Sequence, residues 1–138
     1  MKALFVDTAG WVACADEADP LHHRSIAARD GWLEAGGMLL TTDYVVDETL
    51  TLLRLRLGLD AAEAWWHQVD GSSRLRWEFI TLGRADKARA LFFRYRDKAF
   101  AFTDCTSFAV MRELRLQEAL TTDHHFAQAG FALKPGAA

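Results

Sequence analysis

Four acidic residues carry the side chains best suited to chemistry: Asp7, Glu48, Asp104 and Asp123. Asp7 closes the apolar run Ala3-Leu4-Phe5-Val6, and Asp123 closes Ala119-Leu120-Thr121-Thr122. Glu48 and Asp104 fall in the first turns of predicted helices, on their apolar sides. Brought together, such carboxylates repel. Two charges about 4 Å apart cost roughly 4 kcal/mol at the effective dielectric of a partly exposed site. The simplest relief is a hard divalent cation with oxygen ligands, Mg2+ or Mn2+. Taken singly, Asp7, Asp104 and Asp123 also read as helix caps, since Asp is a preferred N-cap. Glu48 does not, because its neighbours include Val45, Leu50 and Leu52.

Whether the acids meet depends on the elements that carry them. Residues 2–7 read as a short buried strand, followed by a helix over Thr8 to Ala15. Asp19-Pro20 reads as an N-cap with proline in the first turn of a helix over His22 to Ala35, which Gly36-Gly37 stops. Met38 to Thr41 is a second strand. Asp43 is the expected cap of a helix reaching Leu57 and ended by Gly58, and Asp60 the expected cap of a helix over Ala61 to Val69. Arg74 to Thr81 alternates apolar and charged residues, as a strand does. Leu82 to Arg96 reads as a basic helix. Thr103 or Asp104 opens another to Leu116, and Ala119 to Thr122 and Phe131 to Leu133 complete the strands before Pro135-Gly136.

Strands and helices therefore alternate, which argues for an α/β domain with a mostly parallel sheet covered on both faces. In open α/β sheets, sites form beyond the carboxyl ends of the strands, where Asp7 and Asp123 fall. Helix spacing adds the others. Val45, Glu48, Leu52 and Leu55 share one stripe, and Asp104, Ser107, Phe108 and Met111 share another. Both acids lie near helix N-termini, where the backbone dipole favours negative charge.

The 138 residues are 51% hydrophobic and 25% charged, a globular composition fitting one domain over 1–138. The net charge of −3 gives no general affinity for nucleic acid, but the four acids account for −4, leaving +1 for the rest. Cys14 and Cys105 have no zinc spacing and read as reduced thiols of a cytoplasmic protein. The N-terminal apolar run is too short for a signal peptide, and no stretch is long enough to span a membrane.

Leu4-Phe5-Val6-Asp7-Thr8, Asp47-Glu48-Thr49-Leu50, Phe102-Thr103-Asp104-Cys105-Thr106-Ser107-Phe108-Ala109 and Leu120-Thr121-Thr122-Asp123-His124-His125-Phe126 together resemble the PIN-domain nucleases. The similarity is to the toxin subunits of VapBC-type toxin–antitoxin pairs, in the family's order and over nearly the whole chain. The resemblance implies a Rossmann-like three-layer α/β/α fold. It also implies a Mg2+- or Mn2+-dependent endoribonuclease acting on structured RNA such as tRNA or rRNA, a homodimer, and silencing by an antitoxin. It maps the metal-binding and catalytic acids onto Asp7, Glu48, Asp104 and Asp123, and supporting hydroxyls onto Thr8 and Thr121.

RNA also needs cations. Arg84, Lys87, Arg89, Arg94, Arg96 and Lys98 precede the Asp104 motif, and Arg54 and Arg56 follow Glu48. Arg54, Arg94, Arg96 and Lys98 are the candidate phosphate contacts, against an ordinary solvated helix face. His124 and His125 adjoin Asp123 as candidates for substrate contact or proton transfer. Trp65 and Trp66 are adjacent on one helix, so one of them is a candidate for an exposed partner surface. Three rival functions use the same class of fold: a receiver-type phosphotransfer domain, a non-catalytic PIN-like scaffold, and a PIN enzyme of RNA maturation without an antitoxin. The receiver fits poorly, because Asp7 stands alone and is followed by Thr8.

Overall fold

Leu4, Phe5 and Val6 have no polar face and are wholly buried, so Ala3–Val6 (β1) forms the middle strand of the sheet. The computed structural model of the protein describes residues 2–136, so the ends of the expected 1–138 domain lie outside the described residues. The other strands are Met38–Thr42 (β2), Leu75–Glu78 (β3), Glu118–Leu120 (β4) and Ala132–Lys134 (β5). All pair in parallel, in the order β3-β2-β1-β4-β5. The helices are Thr8–Ala15 (α1), His22–Glu34 (α2), Asp43–Leu57 (α3), Leu59–Asp70 (α4), Leu82–Arg94 (α5), Phe102–Glu113 (α6) and His125–Gln128 (α7). They flank the sheet, with α1 on α2, α3 on α4 and α5 on α6. The expected α/β domain with a parallel sheet is what forms.

Strand order fixes where a site belongs. The chain leaves β1 toward β2 on one side, whereas β4 continues to β5 on the other. The crevice between the ends of β1 and β4 is the topological switch point. Gly10 brings α1 down against this seam, because a Cβ there would lie 2.1 Å from the Leu120 carbonyl oxygen. Phe126 anchors the far wall. It is fully buried, its ring 5.0 Å from that of Phe108 and 6.3 Å from that of Phe5. Burying such a side chain contributes roughly 1.5–3 kcal/mol and holds α7 against α6.

Several local expectations shift. Thr42, not Asp43, caps α3 by accepting the Val45 N–H, while the Asp43 carboxylate accepts the Ile80 N–H beyond β3. Gly58, at φ 96°, joins α3 to α4 and takes the N-cap expected of Asp60. Asp19 accepts the Leu21 N–H in a turn and does not cap α2, which starts at His22 as expected. β3 stops at Glu78, short of the expected Thr81, because its partner β2 ends at Thr42 opposite Glu78, and Phe79 beyond is 60% exposed. The four-residue α7 was not expected, being too short to show a period. Trp65 is buried with its ring 5.5 Å from that of Trp11, and Trp66 is half-buried against Trp77 and lines a groove between α3 and α4.

Candidate active site

Asp7 leaves β1 fully enclosed at 3% exposure. It occupies the N-cap position of α1 without a side-chain cap bond. Its carboxylate is instead held by the Thr121 hydroxyl, which donates to Oδ2 at 3.0 Å. The Asp7 N–H donates to the Leu120 carbonyl at 3.2 Å, which fixes the end of β1 to β4. The Thr121 oxygen in turn accepts the Asp123 N–H at 3.0 Å, so one hydroxyl registers two acids.

Asp104 lies in the first turn of α6, a helix buried continuously from Asp104 to Met111. A helix packed this deeply presents only its end to solvent, so an acid in its first turn lands at the cleft. Its Oδ2 accepts the Ala101 N–H at 3.0 Å and lies 3.2 Å from His125 Nδ1. Asp123 accepts the His125 N–H at 2.9 Å, which starts α7.

Glu48 reaches the cleft differently from the expected stripe. The buried residues of α3 are Val45, Val46, Thr49 and Leu53, and Leu55 is 76% exposed. Thr49 fills the core one turn after Val45, so Glu48 is turned about 100° away from it, onto the cleft side. Leu52 and Arg56 follow on that side at four-residue spacing. Asp7, Glu48, Asp104, Asp123, Thr8, Asp19, Arg56 and His125 all line one open cleft of about 450 Å³.

The supporting residues divide. Thr121 holds a carboxylate. Thr8 acts on Asp7 through its backbone N–H, while its hydroxyl donates to the Val45 carbonyl at 3.4 Å, tying the end of β1 to the helix that carries Glu48. Arg54 points to a separate groove between α3 and α4, with Leu50, Leu59 and Trp66. Arg94 lies over the Tyr95 ring and Lys98 pairs with Asp97. Neither they nor the exposed Arg96 line the cleft. Arg84 bridges Glu78 and Glu113 and serves the fold. The sequence offered Asp19 only as a helix cap and gave little weight to His125. Arg56 was legible only in its spacing from Glu48.

Electrostatics bear on what the cleft holds. Burial pushes the Asp7 carboxyl from 3.8 up to about 7, with the Asp104 charge adding to it. The Thr8 N–H and Thr121 hydroxyl act in the opposite direction. Asp104 is raised by burial first and by Asp123, against the Ala101 N–H and His125. A buried carboxyl half-protonated at neutral pH marks a site short of positive charge. With oxygen donors crowded around it, the residues fit a hard divalent cation.

An all-parallel sheet with acids from β1, α3, α6 and the β4 loop meeting at its switch point matches the class that the sequence resembles. The PIN domain family matches residues 4–132, and the chain belongs to that family. Within it the chain is a VapC-type ribonuclease. It is 34% identical over 128 residues to the 23S rRNA-specific endonuclease VapC20 of Mycobacterium tuberculosis, covering 93% of this chain and 95% of that one. It is 28% identical over 135 residues to Ribonuclease VapC26 of the same organism, covering 96% and 93%. The crystal structure of VapC20, described as a sarcin–ricin loop cleaving toxin, superposes with TM-score 0.84 at 32% identity, covering 94% and 96%. FitAcB of Neisseria gonorrhoeae, at TM-score 0.63 and 17% identity over 94% and 95%, shares the fold. Family membership excludes the receiver-type phosphotransfer domain.

Proposed function

We propose that this chain is the toxin of a VapBC-type pair: a Mg2+- or Mn2+-dependent endoribonuclease that cuts the sarcin–ricin loop of 23S rRNA. The observation that carries the chemistry is the convergence of Asp7, Glu48, Asp104 and Asp123 in one cleft. Similarity to VapC20 over nearly the full length of both chains supports rRNA as the substrate class.

Asp7, Asp104, Glu48 and Asp123 are the groups that would hold the metal. When bound, it supplies an activated water and charge stabilisation at the scissile phosphate. Thr121 sets the Asp7 and Asp123 carboxylates relative to one another before any ligand arrives. Asp7 and Asp104, the most enclosed of the four, are the strongest metal ligands. Glu48, half-exposed on the cleft side of α3, orients the attacking water and takes its proton. Arg56, two turns further along that helix, contacts a backbone phosphate. The cleft walls fix the approach, since catalysis of phosphodiester hydrolysis rests on position and charge.

The antitoxin and a homodimer belong to the same reading. Exposed Leu55, Leu59, Phe79, Leu82 and Phe93 offer apolar surface for protein partners. No helix among the described residues is long and apolar enough to cross a membrane.

The test is to incubate the purified protein with intact 23S rRNA and with tRNA, adding Mg2+ or Mn2+, and to map new ends by primer extension. A single metal-dependent cut in the sarcin–ricin loop is expected. Cleavage confined to tRNA would overturn the substrate, and intact RNA throughout would overturn the function.

A further inference from the structure

Five core side chains are left slightly open on one side of the sheet. Trp11, Leu39, Trp65, Val69 and Leu75 are between 4% and 8% exposed, whereas Leu4, Phe5 and Val6 are fully closed. All five line one recess of about 180 Å³ between α1, α2 and α4, floored by β2 and β3. It shares no lining residue with the acidic cleft, so its occupant is a separate matter from RNA cleavage.

Size limits that occupant. An apolar cavity of about 150 Å³ takes benzene, and sites for drug-sized ligands start at about 300 Å³. One six-membered ring with a short substituent fits the recess, and a nucleotide does not.

Charge limits it further. Burial pushes the Cys14 thiol up to about 11, so this wall group stays neutral at physiological pH. Arg29 is the one charged residue of the lining, and it is bridged to Asp30 at 3.0 Å. No charge is left over for an ionic ligand.

One polar group is left over. Trp11 and Trp65 meet edge to face with centroids 5.5 Å apart, and Trp11 Nε1 donates to the Thr41 hydroxyl at 3.3 Å. Trp65 Nε1 is buried and has no hydrogen-bond partner among the described residues. A buried indole N–H usually finds an acceptor, and leaving it without one is costly.

We propose that this recess binds a small neutral aromatic molecule carrying one hydrogen-bond acceptor, to which Trp65 Nε1 donates. The ring displaces water from the apolar wall, and the acceptor completes the one donor the fold leaves unpaired.

The experiment titrates the full chain with anisole, ethylbenzene and benzoate by NMR and locates each probe by intermolecular nuclear Overhauser effects. Ethylbenzene has the shape of anisole without its oxygen, and benzoate adds a charge. Anisole is expected to contact the Trp11 and Trp65 rings and to bind about threefold or more tighter than ethylbenzene, the effect of one net hydrogen bond. Benzoate is expected to bind weakest. In Trp65→Phe, which keeps a ring and removes the donor, the preference for anisole should vanish. Equal affinity for anisole and ethylbenzene in wild type, or a preference that persists in Trp65→Phe, would overturn the role of the N–H. Tightest binding of benzoate would overturn the neutral class. Contacts that fade as protein concentration rises would show that a second copy of the chain fills the recess instead. Absence of any contact to Trp11 and Trp65 would overturn the site itself.

Discussion

The Thr121 hydroxyl donates to the Asp7 carboxylate at 3.0 Å across 114 positions of sequence. The same oxygen accepts the Asp123 N–H, so the hydroxyl sets the spacing of two acids at the seam between β1 and β4. Thr121→Val keeps the shape and removes the donor. A hydrogen bond to a charged group contributes roughly 1.5–3 kcal/mol, so RNA cleavage is expected to fall about tenfold or more. Thr121→Ser, which keeps the hydroxyl, should stay near wild type. Equal loss in both variants under single-turnover conditions would show that the methyl, not the donor, matters.

Asp7 makes the stability of the metal-free protein depend on pH. The folded state holds this proton up to about pH 7, whereas the carboxyl's ordinary value is 3.8. Between those values the folded chain binds more protons than the unfolded chain, so the unfolding free energy falls as pH rises. At about 1.4 kcal/mol per unit, the loss by neutrality is of the order of a few kcal/mol. In chelator, the melting temperature should fall from pH 4 to pH 7. The fall should be smaller in Asp7→Asn, and smaller in wild type with saturating Mg2+ or Mn2+. An unchanged slope in Asp7→Asn would show that another group titrates.

Gly10→Ala places a methyl where the Leu120 carbonyl oxygen already lies, 2.1 Å from the new carbon. Backbone, not a flexible side chain, must move. Overpacking of this kind costs about 1–3 kcal/mol, and here it also spreads the β1–β4 seam that aligns Asp7 with Thr121. Denaturant unfolding should show the loss, with cleavage reduced further than the small folded-state change in population explains. Wild-type stability in this variant would contradict the close approach of α1.

Arg56 and Arg54 are two residues apart on α3 and face different surfaces. Arg56 lines the acidic cleft, and Arg54 lines the groove against α4. Arg56→Ala is expected to raise KM for RNA and reduce the slope of affinity against salt by about one, the signature of one lost phosphate contact. Arg54→Ala should leave both unchanged. Matching effects from the two substitutions would point to general charge rather than a contact.

Much of the fold was legible because its signals are periodic. Leu4-Phe5-Val6 can only be a buried strand, and Gly58 stops α3 where the sequence places it. The cleft was legible in outline for the same reason, since acids after two parallel strands must share a sheet edge. What periodicity does not carry was missed. The stripe through Glu48 runs one position off, because Thr49, a residue without strong hydropathy, satisfies itself on the Val45 carbonyl at 2.7 Å and can be buried. The basic run before Asp104 suggested an RNA grip, but Arg84 spends its charge on Glu78 and Glu113. Charge in sequence does not show which carboxylates lie within reach. His125 needed the β4–α7 turn and the Phe100 ring to bring it to Asp104, contacts 21 and 25 positions away in sequence.

The proposed function requires the four carboxylates to work as one metal-dependent RNA-cutting site. Cleavage of a sarcin–ricin hairpin by the purified chain tests it most directly, comparing wild type in Mg2+ or Mn2+, wild type in EDTA, and Asp7→Asn with metal. Cutting by wild type with metal alone, with both controls inactive and the variant folded by circular dichroism, is the expected result. Full cleavage by Asp7→Asn, or cleavage undiminished in EDTA, would contradict it.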